Sequence, residues 1–369
     1  MPVASTGGDC LSHNDTNSHV AIYYLCPDQI LPTGGVKVIY RHVAILRAHG
    51  YDAYVMHGRP GFRPTWFASD VPVVYWTRTP RLATGINVRV RRRLPATRWQ
   101  ALPSDVHRRR RSATTFSSAD VIVVPEIYAD LIPTVAPGVP KVVFCQNAYG
   151  TFTSPGPSVS LDGGSGVRGV FVVSRYSEDL MTYAIPSVPT FRLRVSAPPS
   201  VFRVTSDKAR QVAFMPRKNP ADARSVMSIL ASRKVLSEVD FRPIDNVSEA
   251  ETGRIMRESL LFLSFGHPEG FGLPAAEAML CGCVVVGYDG LGGREYFRPE
   301  YSYPVPAGDV GEVAKIVERI ITEYDEDPTA VLRKGRSASE SISHMYSPAH
   351  EAADLLGAWR SVLEAGGDP

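Results

Sequence analysis

The fold is decided by the stretch Ser264-Phe-Gly-His-Pro-Glu-Gly-Phe-Gly-Leu-Pro-Ala-Ala-Glu-Ala-Met-Leu-Cys-Gly-Cys283. An apolar run ends at Phe265 and is typical of a buried strand. A loop with Gly270 and Gly272 follows, and Pro274 then stands where the first turn of a helix accepts proline. The stretch therefore predicts a strand, a glycine loop and a helix in succession.

The loop and the helix carry residue types that bind an anion and a sugar. Glycines just before a helix let a ligand approach the backbone, and the free amides and positive dipole end favour negative charge. Glu269 precedes the glycines and Glu277 lies inside the helix. A carboxylate accepts two hydrogen bonds from a vicinal diol such as a ribose. Together these features predict a site for a nucleotide sugar.

Predicted strands and helices alternate on both sides of this stretch. We predict strands at 19–25, 51–56, 71–76, 120–124, 141–145, 169–173, 212–215, 239–243, 260–265 and 283–288. The predicted helices are 36–49, one from about 177, and 221–236, 274–280, 310–323 and 349–364. Such alternation indicates parallel sheets, and ligands bind at the carboxyl ends of their strands. The pattern occurs twice and predicts two open α/β domains with a cleft between them.

The chain length of 369 residues fits two domains. A cluster of prolines between residues 186 and 199 marks the boundary. We predict a polar tail over residues 1–18, a first domain over 19–187, a second over 188–345 and a C-terminal helix over 346–369. Residues 1–190 carry 19 Lys and Arg against 12 Asp and Glu, whereas residues 191–369 carry 21 against 25. This asymmetry indicates domains with different partners.

Composition excludes several classes of protein. No apolar run approaches the roughly 20 residues of a membrane-spanning helix, and the N-terminus does not read as a signal peptide. The five cysteines form no CxxC pair, which argues against a disulfide framework and a structural zinc site. We therefore expect a cytoplasmic protein, with peripheral attachment to a membrane surface as an open alternative.

Residues 269–279, EGFGLPAAEAM, resemble the donor-binding motif of the retaining, family-4-like GT-B glycosyltransferases, the glycosyl transferases group 1. That motif has two glutamates separated by seven residues. The downstream Gly290-Leu-Gly-Gly-Arg-Glu295 is similar to the family's glycine turn and glutamate. The resemblance implies a GT-B fold, with two Rossmann-like parallel-sheet domains, an interdomain cleft and a C-terminal helix that crosses back to the first domain.

The resemblance also implies roles for the matching residues of the second domain. Glu277 would bind the ribose hydroxyls, and Glu269 would lie against the donor sugar. The backbone between them would contact the sugar and the phosphate, and this donor-binding set comprises Gly270, Phe271, Gly272 and Leu273.

Further donor contacts are expected outside this motif. Family members hold the diphosphate with an arginine and a lysine at the start of the second domain, where this chain has Arg217 and Lys218. The family's lysine usually comes several residues later, and the next cation here is Arg224. The expected catalytic set is therefore Glu269, Arg217 and Lys218. Gly34 and Gly35 match the family's glycine loop near the donor phosphate.

The acceptor side departs from the family pattern. Many relatives have a histidine after a strand in the middle of the first domain, but the strand at 120–124 runs into Pro125 and Glu126. The next strand ends before Gln146 and Asn147. We expect Glu126, Gln146 and Asn147 on the acceptor side, where each could equally be structural.

We expect no metal site and no cofactor other than the nucleoside diphosphate sugar as co-substrate. Asp325-Glu-Asp327 matches the D-x-D pattern of another glycosyltransferase fold, but it follows a predicted amphipathic helix and is interpreted as an exposed helix end. Cations and a helix terminus can hold a leaving diphosphate without a metal ion.

Residues 81–111 contain ten arginines and one acidic residue. Such a stretch favours an anionic partner, either a glycan, a membrane surface or a nucleic acid, or else it is a solvated loop. The sequence thus predicts a retaining, metal-independent glycosyltransferase whose acceptor is a glycan, lipid, protein or modified DNA. A sugar-nucleotide epimerase and a non-catalytic nucleotide-sugar or nucleic-acid binding protein stay as alternatives, and the oligomeric state is left open.

Overall fold

A computed structural model of the chain describes residues 20–76, 114–153, 166–205, 208–234 and 239–365. The predicted tail, 1–18, and the arginine-rich stretch, 81–111, lie outside these residues. The described part forms two parallel β-sheets, one of seven strands and one of five. The prediction of two parallel-sheet α/β domains is therefore confirmed.

The first sheet has the strand order β3-β2-β1-β4-β5-β6-β7. Its strands are β1 Ala21–Leu25, β2 Asp52–His57, β3 Val73–Tyr75, β4 Val121–Pro125, β5 Lys141–Cys145, β6 Val167–Val172 and β7 Thr190–Arg192. Its helices are α1 Gly34–Ala48, α2 Ala148–Thr153 and α3 Arg175–Ala184, with a 3₁₀ helix at Glu126–Leu131. All residues of β4 and β5 are buried, because both faces of a parallel sheet are covered.

The second sheet has the order β12-β11-β10-β8-β9. Its strands are β8 Ala209–Phe214, β9 Asp240–Pro243, β10 Ser259–Ser264, β11 Val284–Gly287 and β12 Ser302–Pro304. Its helices are α4 Pro220–Arg233, α5 Glu249–Glu258, α6 Leu273–Leu280, α7 Val310–Glu326 and α8 Pro328–Met345, with a 3₁₀ helix at Gly292–Glu295. The predicted boundary between residues 187 and 188 precedes β7, which belongs to the first sheet.

The last helix, α9 at Pro348–Glu364, returns to the first domain as predicted. Trp359 is fully buried, and its indole N–H donates to the Tyr24 hydroxyl of β1 at 3.1 Å. Glu351 is also fully buried and pairs with Arg41 of α1 at 2.8 Å. The helix thereby fastens the end of the chain onto the sheet where it begins.

Candidate active site

The donor motif lies at the carboxyl end of β10 and faces the first domain. Gly272 has φ 84°, a left-handed conformation that favours glycine, and it ends the loop at the start of α6. A Cβ added to Gly270 would lie 1.7 Å from the carbonyl oxygen of Gln146, which follows β5. Gly270 is therefore a glycine because the backbones of the two domains touch there.

The backbone amides of the glycine loop are unused. The N–H groups of Gly270, Phe271 and Gly272 donate to no residue of the described part of the chain. The Phe271 side chain is buried against the rings of Tyr296 and Tyr346, with centroids 5.1 and 4.9 Å away. Only the backbone of Phe271 is therefore available to a ligand, and three adjacent amides at a helix start can take an anion.

Glu269 is fixed by its backbone and paired through its side chain. Its N–H donates to the Gly290 carbonyl at 2.8 Å, and its own carbonyl accepts from the Gly292 N–H at 3.2 Å. Its carboxylate forms an ion pair with Lys218. The structure thus brings together two of the three residues predicted to be catalytic, with the turn at Gly290–Glu295 as the support.

Arg217 lies on the same loop as Lys218 but reaches toward the other domain. Its guanidinium donates to the Pro32 carbonyl at 2.9 Å, in the segment between β1 and α1. Its side chain is exposed. Arg217 and Lys218 therefore contact different walls of the cleft, although they are adjacent in sequence.

Glu277 is 4% exposed and is engaged by a residue that the sequence analysis did not identify. The ammonium of Lys37, in α1, lies 2.9 Å from Glu277 and 2.8 Å from Glu249 of α5. Burial by itself lowers the pKa of Lys37, but the two carboxylates outweigh it and raise the pKa above its ordinary value. Lys37 therefore stays charged and links the domains at the residue predicted to bind ribose.

Gly34 and Gly35 begin α1 and contact both sides of the cleft. A Cβ on Gly34 would lie 2.9 Å from Cδ1 of Leu273, at the start of α6. The Gly35 carbonyl accepts from the Gln146 side chain at 3.1 Å. Gly34 therefore lies beside the start of α6 and Gly35 beside Gln146, and a role of either glycine in phosphate binding stays a prediction.

Glu126 acts on the turn that follows β5. Its buried carboxylate accepts from the N–H groups of Gln146 and Asn147, both at 3.1 Å. Burial raises the pKa of Glu126 to about 7, and these hydrogen bonds only partly oppose the increase. Glu126 thus positions the two other acceptor-side candidates, and its predicted action on an acceptor remains a prediction.

A small cavity lies within the second domain beside the donor motif. The space lined by Lys218, Glu269 and Pro274 measures about 20 Å³, room for little more than one water molecule. The two domains themselves are joined beside this motif by the Gln146–Gly270 contact and the Lys37–Glu277 ion pair.

The described residues contain no cluster of His, Cys, Asp and Glu able to hold a metal ion. Asp325 pairs with Arg210 at 2.7 Å, and the Asp327 carboxylate caps α8 by accepting from the Thr329 N–H at 2.9 Å. This agrees with the interpretation of the D-x-D pattern as a helix end. None of the helices in the described ranges is both long and apolar enough to cross a membrane.

The comparisons with known proteins place the fold. Residues 230–337 match the family described as Glycosyl transferases group 1, and both glutamates of the donor motif lie in that segment. The sucrose-phosphate synthase structure from Thermosynechococcus elongatus is similar with a TM-score of 0.65 and 12% identity, over 94% of this chain and 100% of that one. The structure of HepE of Anabaena, in complex with UDP and glucose, is similar with a TM-score of 0.63 and 14% identity. This similarity covers 94% of this chain and 100% of that one.

The match to a curated sequence is shorter. The alpha-1,6-glucosyltransferase of Actinobacillus pleuropneumoniae serotype 7 is 35% identical over 83 residues, which are 22% of this chain and 24% of that protein. The curated relatives are thus matched over at most 28% of their own length. The fold and the matched segment together define the class of the protein. It has the GT-B architecture of glycosyltransferases, and its second domain is similar to the Glycosyl transferases group 1 family.

Proposed function

We propose that the chain is a glycosyltransferase that moves a sugar from a nucleoside diphosphate sugar to an acceptor, with retention of configuration and without a metal ion. The observation that carries the proposal is the arrangement of Glu269 and Glu277 on either side of three backbone amides that donate to no described residue. The presence of UDP and glucose in the HepE complex supports a nucleotide sugar as the donor class.

In this proposal the glycine loop and the two adjacent cations hold the diphosphate. The amides of residues 270–272 and the N-terminus of α6 supply partial positive charge, and Arg217 and Lys218 supply full charges. Glu277 binds the ribose diol once Lys37 has withdrawn from it. Glu269, held by its backbone against the turn at 290–292, meets the sugar.

The proposed reaction breaks the bond between the anomeric carbon and the diphosphate oxygen. The acceptor oxygen forms the new bond on the same face, and the departing phosphate oxygen takes the acceptor's proton. Negative charge grows on the leaving group in the transition state, where fixed cations and amides stabilise it most. This route needs no separate protein base.

The direct backbone contact between Gln146 and Gly270 supports an order of events. An open form admits the donor, and closure then returns Gln146 to Gly270 and excludes water from the reacting atoms. The Lys37–Glu277 ion pair competes with the donor, since both use the same carboxylate.

A thermal-shift screen with UDP-, GDP-, ADP- and TDP-sugars tests the proposal. A ligand at a hundredfold excess over its Kd stabilises the native state by about 2.7 kcal/mol. We expect one nucleotide series to raise the melting temperature and its sugar to be released or transferred in the presence of EDTA. Failure of all four series to stabilise the protein would contradict the proposal, and restoration of lost turnover by Mg²⁺ or Mn²⁺ would contradict its metal-free step.

A further inference from the structure

A larger cavity, of about 720 Å³, lies between the two domains next to the turn at Gly290–Glu295. We call it the arginine cavity, because five arginines line it: Arg175, Arg192, Arg194, Arg294 and Arg298. Arg175 begins α3 and Arg192 ends β7, both in the first domain, whereas Arg294 and Arg298 belong to the second domain. Its volume is in the range of sites that bind small molecules, about 300–1,000 Å³.

Two of these arginines are available to a ligand. The other three are held by carboxylates: Arg192 by Glu295, Arg194 by Asp354 and Arg294 by Asp289. The side chains of Arg175 and Arg298 form no ion pair with any residue in the described ranges, and both are exposed. They come from different domains, so a ligand between them would contact both.

The acidic residues of the cavity do not neutralise this pair. Glu295 accepts from the Arg175 backbone N–H at 2.8 Å, from Arg192 at 3.2 Å and from the Tyr346 hydroxyl at 2.6 Å. Its charge is therefore used to join the domains. Asp179 also lines the cavity and reduces its positive charge, but it forms no ion pair with Arg175 or Arg298 in the described ranges.

The arginine cavity adjoins the donor motif. Leu291, which lines the cavity, forms a parallel backbone bridge with Glu269. Paired strands lie about 4.8 Å apart, so the cavity wall is one backbone spacing from the residue proposed to meet the sugar. On the first domain, the hydroxyl of Tyr176 lies 2.8 Å from that of Tyr149, two residues after Asn147. The cavity thus connects the proposed donor site with the acceptor-side candidates.

We propose that the arginine cavity binds a negatively charged group of the acceptor, a phosphate or a carboxylate, between Arg175 and Arg298. This rests on the proposed glycosyltransferase function, which makes the space beside Glu269 the acceptor's place. Guanidinium groups bind both anions through paired N–H donors. A cleft lined mainly by one sign of charge also concentrates ligands of the opposite sign.

The test uses calorimetric titration of the full chain with three hexoses of similar size: glucose 6-phosphate, glucuronate and glucose. We compare wild type, the double variant Arg175→Gln/Arg298→Gln and the control Arg233→Gln, which removes an exposed arginine of α4 paired with Glu318. We expect one or both anionic hexoses to bind wild type and the control about tenfold or more tighter than glucose does. Comparison of glucose 6-phosphate with glucuronate shows whether the cavity prefers a phosphate or a carboxylate.

In the double variant this preference should disappear while affinity for the stabilising nucleotide stays unchanged. Equal binding of charged and neutral hexoses to wild type, or an unchanged preference in the double variant, overturns the proposal. So does the absence of measurable binding of both anionic hexoses. Nucleotide titration of the same samples separates the two proposals: if no nucleotide binds, the proposed function fails, whatever the hexoses show.

Discussion

A lysine from the first domain forms ion pairs with two carboxylates of the second. Lys37 lies within 3 Å of Glu249 and Glu277, and all three side chains are largely buried. A carboxylate proposed to bind a diol is therefore held in place before the ligand arrives. The two glutamates share the same cation, but only Glu277 is proposed to bind the nucleotide, so variants of the two can be compared.

Glu277→Ala should weaken binding of the stabilising nucleoside diphosphate by about 1.5–3 kcal/mol, because the ribose diol loses a charged acceptor. The matched control is Glu249→Ala, which removes the other partner of Lys37 and should leave nucleotide affinity near the wild-type value. Titration calorimetry with both variants gives the comparison. Equal losses in the two would mean that the ion pair, and not the ribose contact, sets affinity.

Arg217→Ala should lower kcat by about tenfold or more and change the donor KM less, because charge on the leaving diphosphate grows in the transition state. Arg319→Ala, an exposed position on α7, is the control. Steady-state kinetics of donor consumption separate the two parameters. A normal kcat with a raised KM would remove Arg217 from the chemical step.

The raised pKa of Glu126 predicts that the free energy of unfolding depends on pH. Its pKa in the folded protein is raised to about 7, above the ordinary value in the unfolded chain, so its folded form favours the proton. Its contribution to stability is full below the ordinary pKa and is lost as the pH rises toward 7, by at most about 1.4 kcal/mol per pH unit.

The free energy of unfolding of Glu126→Gln relative to wild type should therefore increase between pH 5 and pH 8. Chemical denaturation at several pH values measures it, and Glu340→Gln, at an exposed position of α8, should show no such trend. A difference for Glu126→Gln that does not vary with pH would contradict the raised pKa.

The loop between β10 and α6 is built for contact between backbones. Gly270 has no room for a side chain when the domains meet, whereas a Cβ on Gly357 of α9 meets nothing within 4 Å. Gly270→Ala should therefore hinder closure and lower kcat by up to about a hundredfold, since a misplacement of about 1 Å can have that effect. Gly357→Ala should keep normal turnover in the same assay. Normal kcat in Gly270→Ala would show that this contact is not needed for catalysis.

Helices were harder to predict than strands, for a reason visible in α5 and α8. Strands such as β4 and β10 are continuous apolar runs, because both sheet faces are covered. By contrast, α8 packs through small residues: a Cβ on Gly335 would lie 2.2 Å from the Gly282 carbonyl, and Ala338 and Ser339 are buried. The buried face of α8 therefore contains few large apolar side chains, and α5 is largely polar, so the sequence analysis predicts neither helix.

The two domains meet through pairs of residues that are far apart in sequence. Glu269 and Glu277 could be identified because they lie on one continuous motif, as could the loop amides between them. Lys37 and the role of Glu295 in joining the domains could not be identified from the sequence. Glu277 lies 240 residues from Lys37, and the first-domain partners of Glu295 lie 103 or more residues from it, so only the fold brings them together. The arginine cavity has the same origin, since its arginines belong to separate elements.

At the scale of the whole molecule, the two domains touch through the backbones of Gln146 and Gly270, while the arginine cavity of about 720 Å³ lies between them. In the proposed reaction the donor would enter beside this backbone contact, and closure of the domains over the donor would complete the site.

The most direct test of the central claim is to follow the stabilising nucleotide sugar by proton NMR while it is incubated with the protein. The account predicts that nucleoside diphosphate accumulates together with free sugar or a sugar adduct, and that the newly formed product has the donor's anomeric configuration. Accumulation of an epimeric nucleotide sugar, or a donor that binds yet stays intact with every acceptor offered, would contradict it.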